Sequence, residues 1–147
     1  MTKHLPQGGT ITKIILSLGF LLFSTWLAIA AEKTGDRNST MRGKYIVEHV
    51  AMCVQCHTPR DQTGQLLLSR YLEGAPVPVK APANLRVEWA LKAPAIVGLP
   101  GYTREDGIRL LMEGITPDGT MPKAPMPPFR FIRADAEAVV DYLKSLS

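Results

Sequence analysis

The five residues 53–57, Cys-Val-Gln-Cys-His, constrain this chain more than any other feature of its sequence. They include the only two cysteines, Cys53 and Cys56, and one of three histidines, His57. A disulfide between residues three positions apart closes too short a loop to hold a secreted domain together. The two thiols therefore have a local, chemical role.

The pattern Cys-x-x-Cys-His is typical of covalent haem attachment. Two thiols at this spacing reach the two vinyl groups at one edge of a haem, and the adjacent imidazole binds the iron. We predict one haem c attached through Cys53 and Cys56, with His57 as an axial iron ligand.

A Cys-x-x-Cys pair also occurs in thioredoxin-like redox proteins and in zinc sites. The redox pair requires a βαβ context and a helix that starts at the first Cys, whereas here the apolar pattern predicts a helix that ends at the pair. A zinc site requires two further ligands, but the chain has no other Cys and only His4 and His49 besides His57. A metal-storage or thiol-redox module that uses Cys53 and Cys56 as free thiolates predicts reactive thiols and no visible absorbance.

The N-terminal residues have the pattern of an export signal. Two lysines and no acid accompany an apolar run of ten residues at 14–23, and small residues follow at Ala28 and Ala30, where a signal peptidase cleaves. We predict a signal peptide at 1–30 and a polar tether at 31–39. The alternative is an uncleaved membrane anchor, because the apolar stretch is just long enough to cross a bilayer. Either way, the rest of the chain lies in the periplasm.

The charge distribution argues against nucleic-acid binding. Seventeen Lys and Arg stand against thirteen Asp and Glu, and the surplus of four falls to two without the lysines of the predicted signal peptide. The basic residues are scattered among acidic ones and do not form a dense stripe. We predict a solvated surface of mixed sign, with no nucleic-acid partner.

Apolar spacing predicts an all-α domain with few helices. Twelve prolines and twelve glycines indicate long irregular connections, and no strand pattern is convincing. The predicted helices are one capped by Ser39 or Thr40 that runs into Cys53, one at 104–113 and one at 133–146.

The ends of the middle helix have specific signals. Thr103 and Asp106 form a capping box, and Gly114 stops the helix. Met112 lies on its apolar stripe and is predicted to pack in the core.

Residues 40–147 resemble the class I monohaem cytochrome c family, particularly its bacterial single-domain and dehydrogenase-associated members. The resemblance implies a cytochrome c fold, with three to five helices and long Pro- and Gly-rich loops wrapped around one covalently bound haem. It is carried by Arg42-Gly43-Lys44-Tyr45 in the first helix, the haem motif at 53–57, Gly119-Thr120 through Pro125-Met126-Pro127-Pro128-Phe129 before the last helix, and residues 138–146 within it.

In that family the sixth iron ligand is a methionine in a proline-bearing loop before the last helix. Met126 matches this position, and Met121 in the same loop is its competitor. The resemblance thus implies that His57 and Met126 ligate the iron, and that the soft thioether raises the reduction potential.

The family also brings a small residue of the first helix against an aromatic residue of the last, and Gly43 and Tyr142 match these positions. Gly43 stands ten residues before Cys53, two more than in many members. The last helix departs from the pattern as well, because Ile132 occupies the usual place of a Ser or Thr cap. Acidic residues of the first turn such as Asp135 are then expected to interact with the positive end of the helix dipole.

The resemblance further implies polar loop groups near the haem propionates, for which Asn84, Arg86 and Trp89 are candidates. A loop carbonyl is expected to accept a hydrogen bond from the second ring nitrogen of His57. The sequence does not identify that carbonyl.

The implied function is that of a periplasmic one-electron carrier and not of an enzyme. Its partners are redox proteins such as a dehydrogenase, an oxidase or another cytochrome, with membrane contact only if the leader is uncleaved. The alternatives are the electron-transfer subunit of a dehydrogenase complex and a haem enzyme or gas sensor. The last needs an open sixth iron position and predicts rapid CO binding.

Overall fold

The computed structural model describes residues 37–146. The predicted signal peptide, the alternative anchor and residues 31–36 of the tether lie outside the described residues. Within 37–146, no helix is both long enough and apolar enough to span a membrane.

Helices and long loops make up most of the described chain. A two-residue strand pair was not predicted, since it is too short to produce an alternating apolar pattern. The elements are α1 at 37–45, which continues as a π-helical turn at Ile46–Val50, then α2 at Val54–His57, a 3-10 turn at Leu68–Arg70, β1 at Ala75–Pro76, β2 at Lys92–Ala93, α3 at Arg104–Glu113 and α4 at Arg133–Lys144.

Helix α3 begins and ends where its capping signals predict. The Thr103 hydroxyl accepts a hydrogen bond from the Asp106 N–H at 3.1 Å, and the Asp106 carboxylate accepts one from the Thr103 N–H at 3.2 Å. Gly114 follows in the left-handed conformation, with φ of 74°. The predicted capping box and glycine stop are confirmed.

Removing this cap is expected to destabilise the folded protein. Thr103→Ala leaves an N–H of the first turn without its acceptor, so the free energy of unfolding should fall by about 1 kcal/mol. Thr103→Ser keeps the hydroxyl, so its free energy of unfolding should fall much less. Denaturant unfolding of the three proteins checks this, and equal stability for wild type and Thr103→Ala would contradict it.

Helix α4 has the predicted start but a shorter end. Ile132 is its N-cap and makes no side-chain capping bond, and Asp135 is the acidic residue of its first turn, as expected. The Arg42 guanidinium donates to Asp135 and so joins α1 to this turn. The helix ends at Lys144 and not at residue 146.

The predicted start of the first helix is wrong. The chain is helical from residue 37, so Ser39 and Thr40 lie inside α1 and do not cap it, and residues 37–39 of the tether are helical. Ser and Thr favour the cap position but are also tolerated inside a helix that tertiary packing stabilises, so they are a weak boundary signal.

The predicted end of that helix is also wrong. The π-helical turn Ile46–Val50 is followed by Ala51 and by Met52 in the left-handed region, with φ of 52°. Cys53 is then the N-cap of α2. A helix therefore does start at the first cysteine, and this part of the reasoning against a thioredoxin-like pair does not hold.

Gly43 marks the close crossing of α1 and α4. A Cβ at this position would lie 1.9 Å from the Ala138 carbonyl oxygen and 2.8 Å from the Cβ of Tyr142. Tyr142 is buried, with 6% of its surface exposed. The predicted pairing of Gly43 with Tyr142 is confirmed, and the π-helical turn lies between Gly43 and Cys53.

The hydrophobic core joins this crossing to α3. Helices α3 and α4 pack against each other, and Met112 packs against the core as predicted. The loops contribute Leu72 and Leu99. Other buried core residues are Ile46, Val47, Val54, Ile108, Leu111, Ala136, Val139, Val140, Tyr142 and Leu143.

Candidate functional site

An apolar cavity of about 470 Å³ contains the four predicted site residues in its wall: Cys53, Cys56, His57 and Met126. Its volume is within the range of cofactor and small-molecule sites. Most of the wall consists of aliphatic, aromatic and proline side chains, such as Ile96, Leu99, Leu111, Phe129 and Val140. The cavity thus suits a large apolar group.

The short helix α2 places the two cysteines on this wall. Cys53 and Cys56 are three residues apart in one helical turn, so both side chains lie on the same side of it. Both are free cysteines and half-buried. Val54 lies between them in the sequence and is buried in the core, which anchors the turn.

His57 is buried, with 8% of its surface exposed, and its orientation is held by the backbone. Its ring Nδ1 lies 2.8 Å from the Pro94 carbonyl oxygen, to which it donates as the neutral tautomer. Burial lowers the pKa of His57, so the imidazole is neutral at neutral pH. The Nε2 lone pair then remains to bind a metal.

The Pro94 carbonyl is held by the strand pair beside α2. Ala75 of β1 pairs with Ala93 of β2, and the Gly74 N–H donates to the His57 carbonyl at 2.7 Å. Gly74 has φ of 87°, and a Cβ there would lie 2.7 Å from the Ala95 nitrogen. The segment that orients the imidazole therefore packs backbone to backbone on Gly74.

The structure separates the two candidate methionines of the proline-rich loop. Met126 lines the cavity, whereas Met121 has 70% of its surface exposed and is not part of the cavity wall. The Ala124 carbonyl accepts a hydrogen bond from the Ala90 N–H at 2.6 Å, and the Leu111 carbonyl accepts one from the Phe131 N–H at 3.0 Å. These bonds connect the loop between α3 and α4, which contains Met126, to the loop between β1 and β2 and to α3.

The surroundings of Cys53 do not favour thiol redox chemistry. Burial is the largest cause that raises the pKa of the Cys53 thiol, to about 11. Reactive cysteines of Cys-x-x-Cys redox pairs have lowered pKa values, because the thiolate is the nucleophile. Among residues 37–146, no three His, Cys, Asp or Glu side chains lie close enough together to hold a metal ion, as a zinc site of that kind requires.

The three residues suggested as propionate partners do not line the cavity wall. Asn84 and Arg86 are exposed, and neither they nor Trp89 line the cavity. The cations in its wall are Lys92 and Lys123. The sequence did not predict this position because lysine is a common surface residue and nothing in its spacing indicates a distant cavity.

The four site residues come from two segments about seventy residues apart in the chain, yet they share one cavity. Comparison of the chain with protein-family models found no matching family, and comparison with curated proteins found no match. The shared cavity and the hydrogen bond of His57 are therefore the starting point for a functional proposal.

Proposed function

We propose that this protein is a periplasmic c-type cytochrome of the class I fold that carries one haem and transfers single electrons between redox proteins. The observation that supports this best is the arrangement of Cys53, Cys56, His57 and Met126 around one apolar cavity. A haem bound there supplies reversible one-electron chemistry between ferrous and ferric iron.

Cys53 and Cys56 provide the covalent attachment. Each thiol adds its sulfur to one carbon of a vinyl double bond and its hydrogen to the other, so no atom is lost and no oxidant is needed. Because one turn of α2 carries both thiols on the cavity wall, both thiols could react at the same edge of a bound ring. The attachment also compensates for the small core of a chain with long loops.

His57 provides a pre-oriented nitrogen ligand. The hydrogen bond to the Pro94 carbonyl selects the tautomer with a free Nε2, and it limits rotation of the ring. Burial keeps the imidazole neutral, which is the state that binds iron.

Met126 provides the second axial ligand. Its thioether is neutral and soft, and it favours ferrous iron. Pro125, Pro127 and Pro128 restrict the loop, so less conformational entropy is lost when the thioether is held in place. With His57 and Met126 both bound, the iron would have no position for a substrate, which suits an electron carrier and not an enzyme.

The cavity wall is mostly apolar. Low polarity and a retained ligand pair limit structural change between the two oxidation states, which suits rapid electron transfer. Electrons would enter and leave where a bound haem stays accessible to a partner such as a dehydrogenase, an oxidase or another cytochrome.

The test is the mass and the pyridine haemochrome spectrum of the mature protein, purified from a host that can attach haem to exported proteins. We expect a mass equal to polypeptide plus one haem and the spectrum of a haem with two thioether bonds. Cys53→Ser/Cys56→Ser is the matched control and should show neither. A wild-type mass of the polypeptide alone, together with reactive thiols, would contradict the proposal and support a free-thiol module.

A further inference from the structure

The charged residues of the cavity wall are all basic. Lys92 and Lys123 line it, and within the described residues no Asp or Glu does. The remaining polar groups of the wall, including Tyr102 and Thr116, are neutral. Two cations and no acid on a largely apolar surface are complementary to a ligand that is mostly apolar and carries two negative charges.

The two lysines differ in their surroundings. The Lys123 ammonium lies 2.5 Å from a carboxylate oxygen of Glu88, so its charge is partly neutralised. Lys92 makes no side-chain hydrogen bond or ion pair to any residue of 37–146. It belongs to β2, two residues before the Pro94 that orients His57, so its backbone position is fixed by the same strand pair.

We propose that Lys92, with Lys123 as the second cation, binds the two propionate groups of the haem. This inference rests on the proposed function, because the propionates carry the negative charge at the periphery of a haem. A lysine can place its aliphatic stem along an apolar wall and its ammonium at the mouth, where the carboxylates remain hydrated. Lys92 contributes more than Lys123 to propionate binding, because Glu88 competes with the propionates for the Lys123 ammonium.

Reduction potentials of the haem-loaded variants test this. Neutralising a cation beside a propionate leaves more negative charge near the iron and stabilises the ferric state. At a fixed electrode potential and low ionic strength, Lys92→Met should raise the ferric-to-ferrous ratio by about threefold or more. Lys92→Arg keeps the charge and should stay near wild type.

Two further variants control this result. Lys80→Met removes the same charge from an exposed loop residue outside the cavity wall and should change the ratio by less than about 1.5-fold. Glu88→Gln releases Lys123 from its ion pair and should shift the ratio in the opposite direction, toward ferrous iron.

If Lys92→Met changes the ferric-to-ferrous ratio no more than Lys80→Met does, the inference is overturned. The proposed function stays intact in that case, since haem attachment is measured separately from the mass. If Lys92→Met is not produced in haem-loaded form, the sign of the Glu88→Gln shift decides, and no shift or a shift toward ferric iron would overturn the inference. Absence of haem from the wild-type protein would instead overturn the proposed function.

Discussion

Met126→Ala is expected to abolish the weak charge-transfer band at the red end of the visible spectrum that reports thioether ligation of ferric haem. It should also lower the reduction potential by roughly 100–300 mV, within the range of about 0.8 V that axial ligands control. The physical reason is that the variant no longer offers iron the soft, neutral sulfur that favours the ferrous state. Absorption spectroscopy and electrode titration of the haem-loaded protein measure both effects.

Met121→Ala is the matched control. Met121 is in the same loop but is exposed and lies outside the cavity wall, so this variant should keep the band and the wild-type potential. Loss of the band in Met121→Ala and its retention in Met126→Ala would assign ligation to Met121.

Carbon monoxide binding separates the carrier from a sensor or a haem enzyme. Ferrous Met126→Ala should bind CO rapidly because its sixth position is open, whereas the wild type should bind it slowly. Rapid binding by the wild type at neutral pH would favour the alternative function.

Gly43→Ala is expected to destabilise the protein by roughly 3 kcal/mol or more. The added methyl group would lie 1.9 Å from the Ala138 carbonyl oxygen, and backbone cannot move aside as a flexible side chain can. The intrinsic preference of alanine for helices acts in the opposite direction but contributes only about 1 kcal/mol. The clash at the close crossing of α1 and α4 therefore outweighs the helix preference of alanine, and the free energy of unfolding should fall.

Lys44→Ala is the control for Gly43→Ala. Lys44 is the next residue of α1 and is exposed, so its replacement tests the effect of alanine in the same helix without the crossing. Its stability should stay within about 0.5 kcal/mol of wild type. Denaturant unfolding of the haem-loaded proteins compares them, and a Gly43→Ala variant as stable as wild type would show that the helices do not cross at this residue.

Local patterns were the most reliable part of the sequence-based prediction. The start and end of α3 follow from Thr103, Asp106 and Gly114, because capping bonds form within one turn and depend little on the rest of the fold. The prediction of a close approach between Gly43 and Tyr142 required the family resemblance, since no local rule connects residues a hundred positions apart.

Predictions failed where local signals were weak. Ser39 and Thr40 resemble caps but lie inside α1, and the apolar pattern before Cys53 contains no sign of the π-helical turn or of the left-handed Met52. A π turn is stabilised by the packing of Ile46 and Val47 in the core, and such packing depends on distant residues.

By itself, the sequence determined which residues we propose to attach and ligate a haem: Cys53, Cys56, His57 and a methionine of the proline-rich loop. Only the tertiary structure showed that Met126 lines the cavity while Met121 is exposed, identified Pro94 as the acceptor for His57 and placed Lys92 in the cavity wall. The physical reason is that a short motif acts through residues adjacent in the chain, whereas a cavity forms from loops whose mutual positions depend on the packing of the whole domain.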